Sequence, residues 1–175
     1  VRVSDPTDQG IQPRGKQVRR PEGIWYTSVS GIWQTVWLEP VPEHSISYLR
    51  VTPDIDRRIL SVEVSTESKG VVQVEVSAGG KTVSSSRSLC GQRIEVPMPA
   101  DMLLWSPENP FLYDLSISLW EGNRCVDRVK SYAAMRKYSV KRDESGIVRL
   151  QLNNQDLFQY GPLDQGWWPD GLYTA

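Results

Sequence analysis

The sequence has few of the residues that build metal sites and disulfide frameworks. Its 175 residues include one His and two Cys. Structural zinc sites use four Cys or His ligands, and disulfide-rich domains pair many cysteines. We therefore predict no metal and no cofactor. His44 has no second His or Cys near it in sequence, so a role as a ligand or a catalytic base is not favoured.

The chain also lacks an excess of one charge and lacks long apolar runs. Twenty Lys and Arg face 21 Asp and Glu, a formal net charge of −1. Binding to nucleic acid or to an acidic membrane surface needs a strong basic field, so neither partner is predicted. No apolar run reaches the roughly 20 residues of a membrane-spanning helix. The 39% hydrophobic and 23% charged residues are typical of a globular domain.

Both ends of the sequence predict a piece of a longer protein. The chain opens at Val1 without the basic and apolar regions of a signal peptide. It stops at Ala175 within a stretch rich in aromatic residues and glycine. The oligomeric state is left open. The compartment is also left open, with a periplasmic or extracellular location favoured for the longer protein.

Short alternating segments dominate the middle of the chain. About seven strands are predicted across residues 45–138, with hairpin turns at Gly79-Gly80 and Gly122-Asn123. Strict alternation buries one face of each strand. The fold class is therefore all-β, an immunoglobulin-like antiparallel β-sandwich with flanking partial segments. The side chains predicted to point inward are Leu60, Val62, Val64, Val72, Val74, Val76, Leu115, Ile117 and Leu119.

The flanks of this sandwich have a different character. Residues 1–23 are polar and rich in Pro and Gly, which predicts a linker, and residues 32–39 predict a strand covered on both faces. Beyond the sandwich, Val148 to Leu152 alternates, and Asn153-Asn154 predicts a hairpin turn with residues 157–160 returning. The predicted organisation is 1–41, 42–138 and 139–175.

The cysteines and carboxylates offer little chemistry. Cys90 and Cys125 are predicted to be free thiols, because the Cys-Trp-Cys spacing of antibody domains is absent. Glu63 and Glu75 alternate outward and are expected to be solvated, while Glu108, Asp143 and Glu144 lie in turn-like sequence. Asp164 has no obvious carboxylate partner, so binding is favoured over catalysis. No catalytic residue is predicted, as glycoside hydrolysis needs two placed carboxylates.

The aromatic residues point to carbohydrate. Seven Trp and seven Tyr stand against two Phe, and flat side chains with a polar edge suit stacking on sugar rings as well as packing. Core or interface packing is favoured for Trp33, Trp37, Trp105 and Trp120. Near the end of the chain packing and sugar stacking are equally favoured. The candidate substrate-binding residues there are Asp164, Gln165, Trp167 and Trp168.

Four stretches, taken together, resemble glycoside hydrolase family 2, which includes β-galactosidases and β-glucuronidases. Residues 30–39, SGIWQTVWLE, resemble the last strand of that family's N-terminal sugar-binding jelly roll. Its immunoglobulin-like domain resembles residues 104–115, LWSPENPFLYDL, and residues 131–137, SYAAMRK. The hairpin that enters its catalytic barrel resembles residues 152–161.

The resemblance implies a connector within a larger enzyme. Family members are retaining enzymes with two catalytic Glu about 5 Å apart on later barrel strands. Both would lie beyond Ala175, so this chain is expected to be inactive by itself. Its implied partners are a carbohydrate substrate of β-linked sugars and the jelly roll and (β/α)8 barrel of the same polypeptide.

Three departures leave the substrate open. Many members carry Arg where Gln34 stands and an aromatic-Gly pair where Ala133 and Ala134 stand. Galactosidase-like members carry Asn-His after the glycine that corresponds to Gly161, where Pro162 follows here. The alternative reading is a free-standing carbohydrate-binding or adhesion sandwich, or a scaffold domain of a surface protein. Such a binding module would bind glycans by itself.

Overall fold

The computed structural model describes residues 1–12, 15–32, 34–163 and 166. It divides into two compact units, residues 1–39 with 161–175 and residues 40–160. The described part of the chain forms strands and no helix, which confirms the all-β class. It also contains no helix that could cross a membrane. The strands are β1 (Gln17–Val18), β2 (Tyr26–Thr27), β3 (Tyr48–Asp54), β4 (Ile59–Ser65), β5 (Val71–Ala78), β6 (Lys81–Leu89), β7 (Ile94–Pro97), β8 (Tyr113–Glu121), β9 (Arg124–Ala133), β10 (Tyr138–Arg142), β11 (Val148–Leu152) and β12 (Gln155–Asp156).

The described residues of the first unit contain little regular structure. β1 and β2 form a short parallel pair, and residues 34–39 form no strand, unlike the strand expected over 32–39. Trp37 is 73% exposed, so the core or interface packing expected of it is also not observed. A strand needs a neighbouring strand for its backbone hydrogen bonds, and the described residues of this unit supply none at this point. Trp33 lies outside the described residues.

The second unit contains a two-sheet sandwich. One sheet has the order β3-β4-β7 and the other the order β6-β5-β8-β9, and every neighbouring pair is antiparallel. All nine side chains predicted to point inward are buried, none with more than 8% of its surface exposed. Burying each such side chain contributes about 1.5–3 kcal/mol. Period-2 alternation therefore identified the core correctly.

Hydroxyl groups close one side of this sandwich. The side chain of Ser84 donates to the backbone carbonyl of Pro97 over 2.5 Å, and Ser86 donates to that of Glu95 over 2.9 Å. Both serines lie on β6, at the edge of the four-stranded sheet, and both acceptors lie on β7, at the edge of the other sheet. The outward carbonyls of an edge strand are thereby satisfied without a further strand.

A buried tyrosine fixes the connection into β8. Tyr113 begins β8 with 2% of its surface exposed, and its hydroxyl accepts a 2.7 Å hydrogen bond from the backbone NH of Leu103. Burial raises the pKa of the Tyr113 phenol. This arrangement matches the tyrosine corner of immunoglobulin-like sandwiches, in which a tyrosine near the start of strand F bonds to upstream backbone.

A third sheet follows the sandwich. β10, β11 and β12 form an antiparallel sheet within the same compact unit. Asn153 and Asn154 have φ angles of 53° and 65° and connect β11 to β12. Left-handed conformations at both central residues are typical of a type I′ hairpin turn, which confirms the predicted turn. The returning strand is Gln155–Asp156, and the expected residues 157–160 form no strand. The sequence did not predict β10.

The two cysteines are not bonded to each other, as predicted. Cys90 and Cys125 are both partly buried thiols. Burial raises the pKa of the Cys90 thiol, which disfavours the reactive thiolate.

We expect the substitution Tyr113→Phe to lower the free energy of unfolding by about 1–2 kcal/mol, because the NH of Leu103 would lose its acceptor within the fold. Urea denaturation of the 175-residue chain measures this difference. Tyr132→Phe is the matched control, since Tyr132 is 67% exposed and its change should stay within about 0.5 kcal/mol. Equal stability of the two variants would contradict the role assigned to the Tyr113 hydroxyl.

Candidate functional site at the joint between the sandwich and the third sheet

The residues predicted to bind sugar lie outside the described part of the chain. Asp164, Gln165, Trp167 and Trp168 all fall there, and their role stays a prediction. The described site that bears on function is the joint between the sandwich and the third sheet. It comprises the β11–β12 turn and the residues that the turn contacts.

The side chain of Asn153 uses both ends of its amide in this joint. Its Nδ2 donates to the backbone carbonyl of Trp105 over 2.9 Å, and its Oδ1 accepts from the backbone NH of Lys137 over 3.1 Å. Its own backbone NH donates to the carbonyl of Lys137 over 2.8 Å. One turn residue thus connects β11 to the segment before β8 and to the segment after β9.

Asn154 and Lys137 bring a carboxylate into the joint. Asn154 Nδ2 donates to Asp56 Oδ1 over 2.8 Å, and Lys137 Nζ lies 2.5 Å from Asp56 Oδ2. Asp56 lies in the β3–β4 turn, where Asp54 Oδ1 accepts from the backbone NH groups of Asp56 and Arg57. The hydrogen bond from Lys137, followed by that from Asn154, holds the pKa of Asp56 below its ordinary value.

Aromatic stacking covers the joint. The guanidinium carbon of Arg136 lies 4.7 Å from the centre of the Trp105 ring and 5.2 Å from that of Tyr138. A cation between two aromatic faces is attracted to both. The backbone NH of Trp105 donates to the carbonyl of Met135, which is fully buried. Trp105 is half-buried and contacts Arg136 in the joint, so the packing expected of it is observed in part.

A shallow pocket opens beside Trp105. Its volume is about 310 Å³, and its lining includes Leu112, Tyr132 and Arg136 as well as Trp105. The residues that line it include no carboxylate. This pocket therefore offers aromatic and cationic contacts and no acid–base pair.

The other charged candidates take part in local structure. Glu63 pairs with Arg93 and lies 3.9 Å from Arg50 on the outer face of its sheet, as expected of a solvated side chain. Asp143 accepts from the backbone NH groups of Ser145 and Ile147, and from Arg149 Nε over 2.9 Å. The Arg149 hydrogen bond is the main reason that the pKa of Asp143 is lowered. Asp143 thereby shapes the β10–β11 turn.

His44 contacts the end of β8. Its Nδ1 lies 2.6 Å from Glu121 Oε1, which also accepts from the Ser68 hydroxyl over 2.7 Å. The Ser68 hydrogen bond is the largest cause of the lowered pKa of Glu121. Among the residues that the structure describes, no group of three or more His, Cys, Asp or Glu could hold a metal ion. The geometry around His44 is that of a tether for the segment before β3.

The sequence predicted two of the segments that form this joint, but it did not predict the contact between them. The Asn153-Asn154 pair predicted a turn, and residues 104–115 were recognised as part of a sandwich. Nothing in either stretch indicates that they contact each other, since Asn153 and Trp105 are 48 residues apart. The Asn-Asn pair that follows the alternating residues 148–152 was the one available signal, and it indicated the turn without its contacts.

The strand order and the tyrosine corner define an immunoglobulin-like sandwich with an appended three-stranded sheet. The sequence profile of glycosyl hydrolases family 2 matches residues 41–136, more than half of the 175 residues. The chain belongs to this family.

Similar proteins carry hydrolase names. The chain is 25% identical over 152 residues to a protein of Formosa agariphila named "Putative beta-glucuronidase", covering 81% of this chain and 18% of that protein. It is 27% identical over 139 residues to a β-galactosidase of Halalkalibacterium halodurans, covering 70% of this chain and 14% of that protein. The chain thus spans less than a fifth of the length of these two relatives.

A solved structure shows the same fold. The β-glucuronidase of Ruminococcus gnavus in complex with D-glucuronic acid matches with a TM-score of 0.55 and 23% identity. The match covers 69% of this chain and 20% of that one.

We expect Asn153→Gly to lower the free energy of unfolding by about 1–2 kcal/mol, because two side-chain hydrogen bonds are lost while glycine keeps the left-handed backbone. Hydrogen exchange at the NH of Lys137 should accelerate, since that NH donates to Asn153 Oδ1. Asn154→Gly is the control, as it removes only an exposed bond to Asp56. The joint is wrongly assigned if both variants exchange Lys137 at the wild-type rate.

The charge of Asp56 should make the joint sensitive to acid. Its pKa in the folded chain lies below the ordinary value of 3.8, so its contribution is complete above the unfolded pKa and is lost as pH falls through the folded pKa. The stability difference between wild type and Asp56→Asn should therefore shrink below about pH 4. Thermal unfolding from pH 6 to pH 3 measures it. Asp114→Asn, at an exposed position on β8, is the control. The assignment is contradicted if the stability difference between wild type and Asp114→Asn changes with pH in the same way as that between wild type and Asp56→Asn.

Proposed function

We propose that this chain is the non-catalytic connector of a retaining family 2 glycoside hydrolase that acts on β-linked sugars in carbohydrate metabolism. Residues 1–41 would hold a linker and the end of an N-terminal jelly roll, residues 42–138 the sandwich, and residues 139–175 the entry to a (β/α)8 barrel. Family membership supports this proposal. The names of the two relatives, a β-glucuronidase and a β-galactosidase, support a hydrolase.

The observation that carries the proposal is the joint. A connector must hold its neighbours in fixed positions, because a misplacement of about 1 Å at a reacting centre can cost two orders of magnitude in rate. Asn153 bonds to the backbone of Trp105, before β8, and to that of Lys137, after β9, and Asp56 adds an ion pair with Lys137. Bonds to backbone resist bending more than contacts between mobile side chains do.

The chemistry of the reaction would lie in the longer hydrolase. Retention requires an acid–base Glu and a nucleophilic Glu about 5 Å apart. Glu63, Asp143 and Glu121 are each held by cations, hydroxyls or backbone NH groups in structural roles. The chain by itself would therefore not hydrolyse glycosides.

The last residues of the chain would contribute to the sugar site. They follow the hairpin that resembles the entry to the barrel, and active sites of such barrels lie on loops after the strands. Asp164 and Gln165 would hydrogen-bond sugar hydroxyls, and Trp167 or Trp168 would stack on a ring.

Activity of two chains tests this function. The 175-residue chain should not cleave chromogenic β-glucuronides or β-galactosides, whereas a longer hydrolase that contains it should cleave at least one β-glycoside. In the longer chain, Trp168→Ala and Asp164→Ala should lower kcat/KM by more than about threefold, which is about 0.7 kcal/mol. Glu75→Ala, at an outward position on β5, is the control.

Two results would contradict the proposal. One is turnover by the 175-residue chain above a contamination control, with loss of that turnover in Asp164→Ala. The other is saturable binding of glycans by the 175-residue chain alone in a calorimetric titration, which would favour a free-standing carbohydrate-binding module.

A further inference from the structure

The segment that leads into β3, residues 40–47, is attached to both sheets of the sandwich, and we call it the strap. In its second half, the NH of Ile46 donates to Asp127 Oδ2 on β9 over 2.8 Å, and the NH of Ser47 donates to the carbonyl of Ser65 on β4 over 2.9 Å. Ile46 also packs against the hydrophobic core. Backbone NH groups and an apolar side chain, which do not titrate, therefore anchor this half.

The first half of the strap depends on one side chain. His44 Nδ1 lies 2.6 Å from Glu121 Oε1 at the end of β8. That oxygen also accepts from the Ser68 hydroxyl over 2.7 Å, and the Ser68 oxygen accepts from the NH of Gly70 over 3.1 Å. In the described part of the chain, residues 40–43 form no hydrogen bond. The carboxylate is thus fixed to the sandwich, and His44 is what holds the first half of the strap to it.

The charged groups around this contact come from several elements. Glu121 ends β8, and Arg124 begins β9, where its positive charge favours the ionised form of Glu121. Cys90 follows β6 near Glu121, and burial raises the pKa of its thiol, so the thiol is uncharged. Among the described residues, Glu121 is the one carboxylate that pairs with His44. The remaining charged side chains on the strap and on the neighbouring elements are Glu43, Glu67, Lys69 and Asp127.

Only the histidine of this contact changes its charge near neutral pH. An imidazole takes up a proton between about pH 8 and about pH 5. Glu121 stays ionised over that range, because the Ser68 hydrogen bond in particular holds the pKa of its carboxyl below the ordinary value of 4.5. A protonated His44 therefore forms an ion pair with Glu121. A neutral His44 keeps at most a hydrogen bond without a positive charge, which is weaker.

We propose that the strap is a pH-sensitive device, in which protonated His44 holds the first half of the strap against the end of β8 and neutral His44 releases it. The chain that enters the sandwich would then follow a fixed path in mild acid and a looser one above neutral pH. This inference does not depend on the proposed function, because its contacts all lie within residues 40–127.

Hydrogen exchange at the NH of Ile46 in the 175-residue chain tests the inference. This NH exchanges when the strap lifts from β9, and lifting the strap separates His44 from Glu121. Its protection, corrected for the intrinsic pH dependence of exchange, should fall about threefold from about pH 5.5 to about pH 8, as expected for an ion pair whose side chains are 50% and 37% exposed. The amides of β5, a central strand of its sheet, are the internal reference and should keep their protection.

Two variants at one position separate charge from shape. His44→Gln carries no charge, so protection of the Ile46 NH should stay at the low wild-type value of about pH 8 throughout. His44→Arg stays charged, so protection should stay high throughout. Glu43→Gln is the matched control, since Glu43 is exposed beside His44 and forms no hydrogen bond, and it should keep the wild-type pH dependence.

Three results would overturn the strap as a pH-sensitive device. The first is equal protection of the Ile46 NH in the wild-type chain at both pH values. The second is a fall in His44→Gln or in His44→Arg as large as that in the wild type. The third is a parallel loss of protection in β5, which would show that the whole sandwich opens and not the strap.

Discussion

Each of the three sheets in residues 40–160 has one apolar face, and removing that face from water is the constraint on which the rest of this unit depends. Two of the sheets meet it by covering each other, which buries Leu60, Val74 and Ile117 completely. The third sheet is too short to fold over a core of its own. Polar contacts and the burial of Leu152 fix one end of it, and Tyr138, Val140, Val148 and Leu150 on the same side stay exposed.

The polar contacts of the joint work because they bond to backbone. A side-chain amide that donates to one carbonyl and accepts from one NH fixes both distance and orientation, as Asn153 does with Trp105 and Lys137. The ion pair of Asp56 with Lys137 is exposed and adds little by itself. The same division appears along the sandwich, where serine hydroxyls close one side and the tyrosine corner fixes a connection. Hydrophobic burial holds the sheets together, and hydrogen bonds to backbone determine their arrangement.

Sheets held together by hydrophobic burial and oriented by hydrogen bonds to backbone suit a domain that positions its neighbours. The proposed connector need not bind or react, but it must not bend. Asp56, Glu121 and Asp143 are accordingly engaged in turns and tethers. Glycosyl hydrolases family 2 supplies the context in which such stiffness matters, since its chemistry depends on the spacing of two carboxylates. In the proposed connector, a change at Asn153 would alter the activity of the longer hydrolase through position alone.

The sequence by itself determined the local features of this protein. Alternation identified the buried faces of β4, β5 and β8, and the pairs Gly79-Gly80 and Asn153-Asn154 identified turns, because each depends only on neighbouring residues. Family resemblance, carried by residues 104–115 and 131–137, was also readable without a structure. For the candidate sugar site, the sequence identified four residues, and all four lie outside the described part of the chain.

Tertiary structure decided everything that depends on partners distant in sequence. The described residues 34–39 do not form the expected strand, because a strand exists only with a neighbour to bond to, and no local pattern reports whether one is present. β10 was missed because it is defined by its pairing with β11. The contact of Asn153 with Trp105 and the tyrosine corner at Tyr113 likewise join residues that no periodicity connects. Side-chain alternation has a range of a few residues, whereas the joint arises from packing between elements up to 98 residues apart, and only the folded chain brings those together.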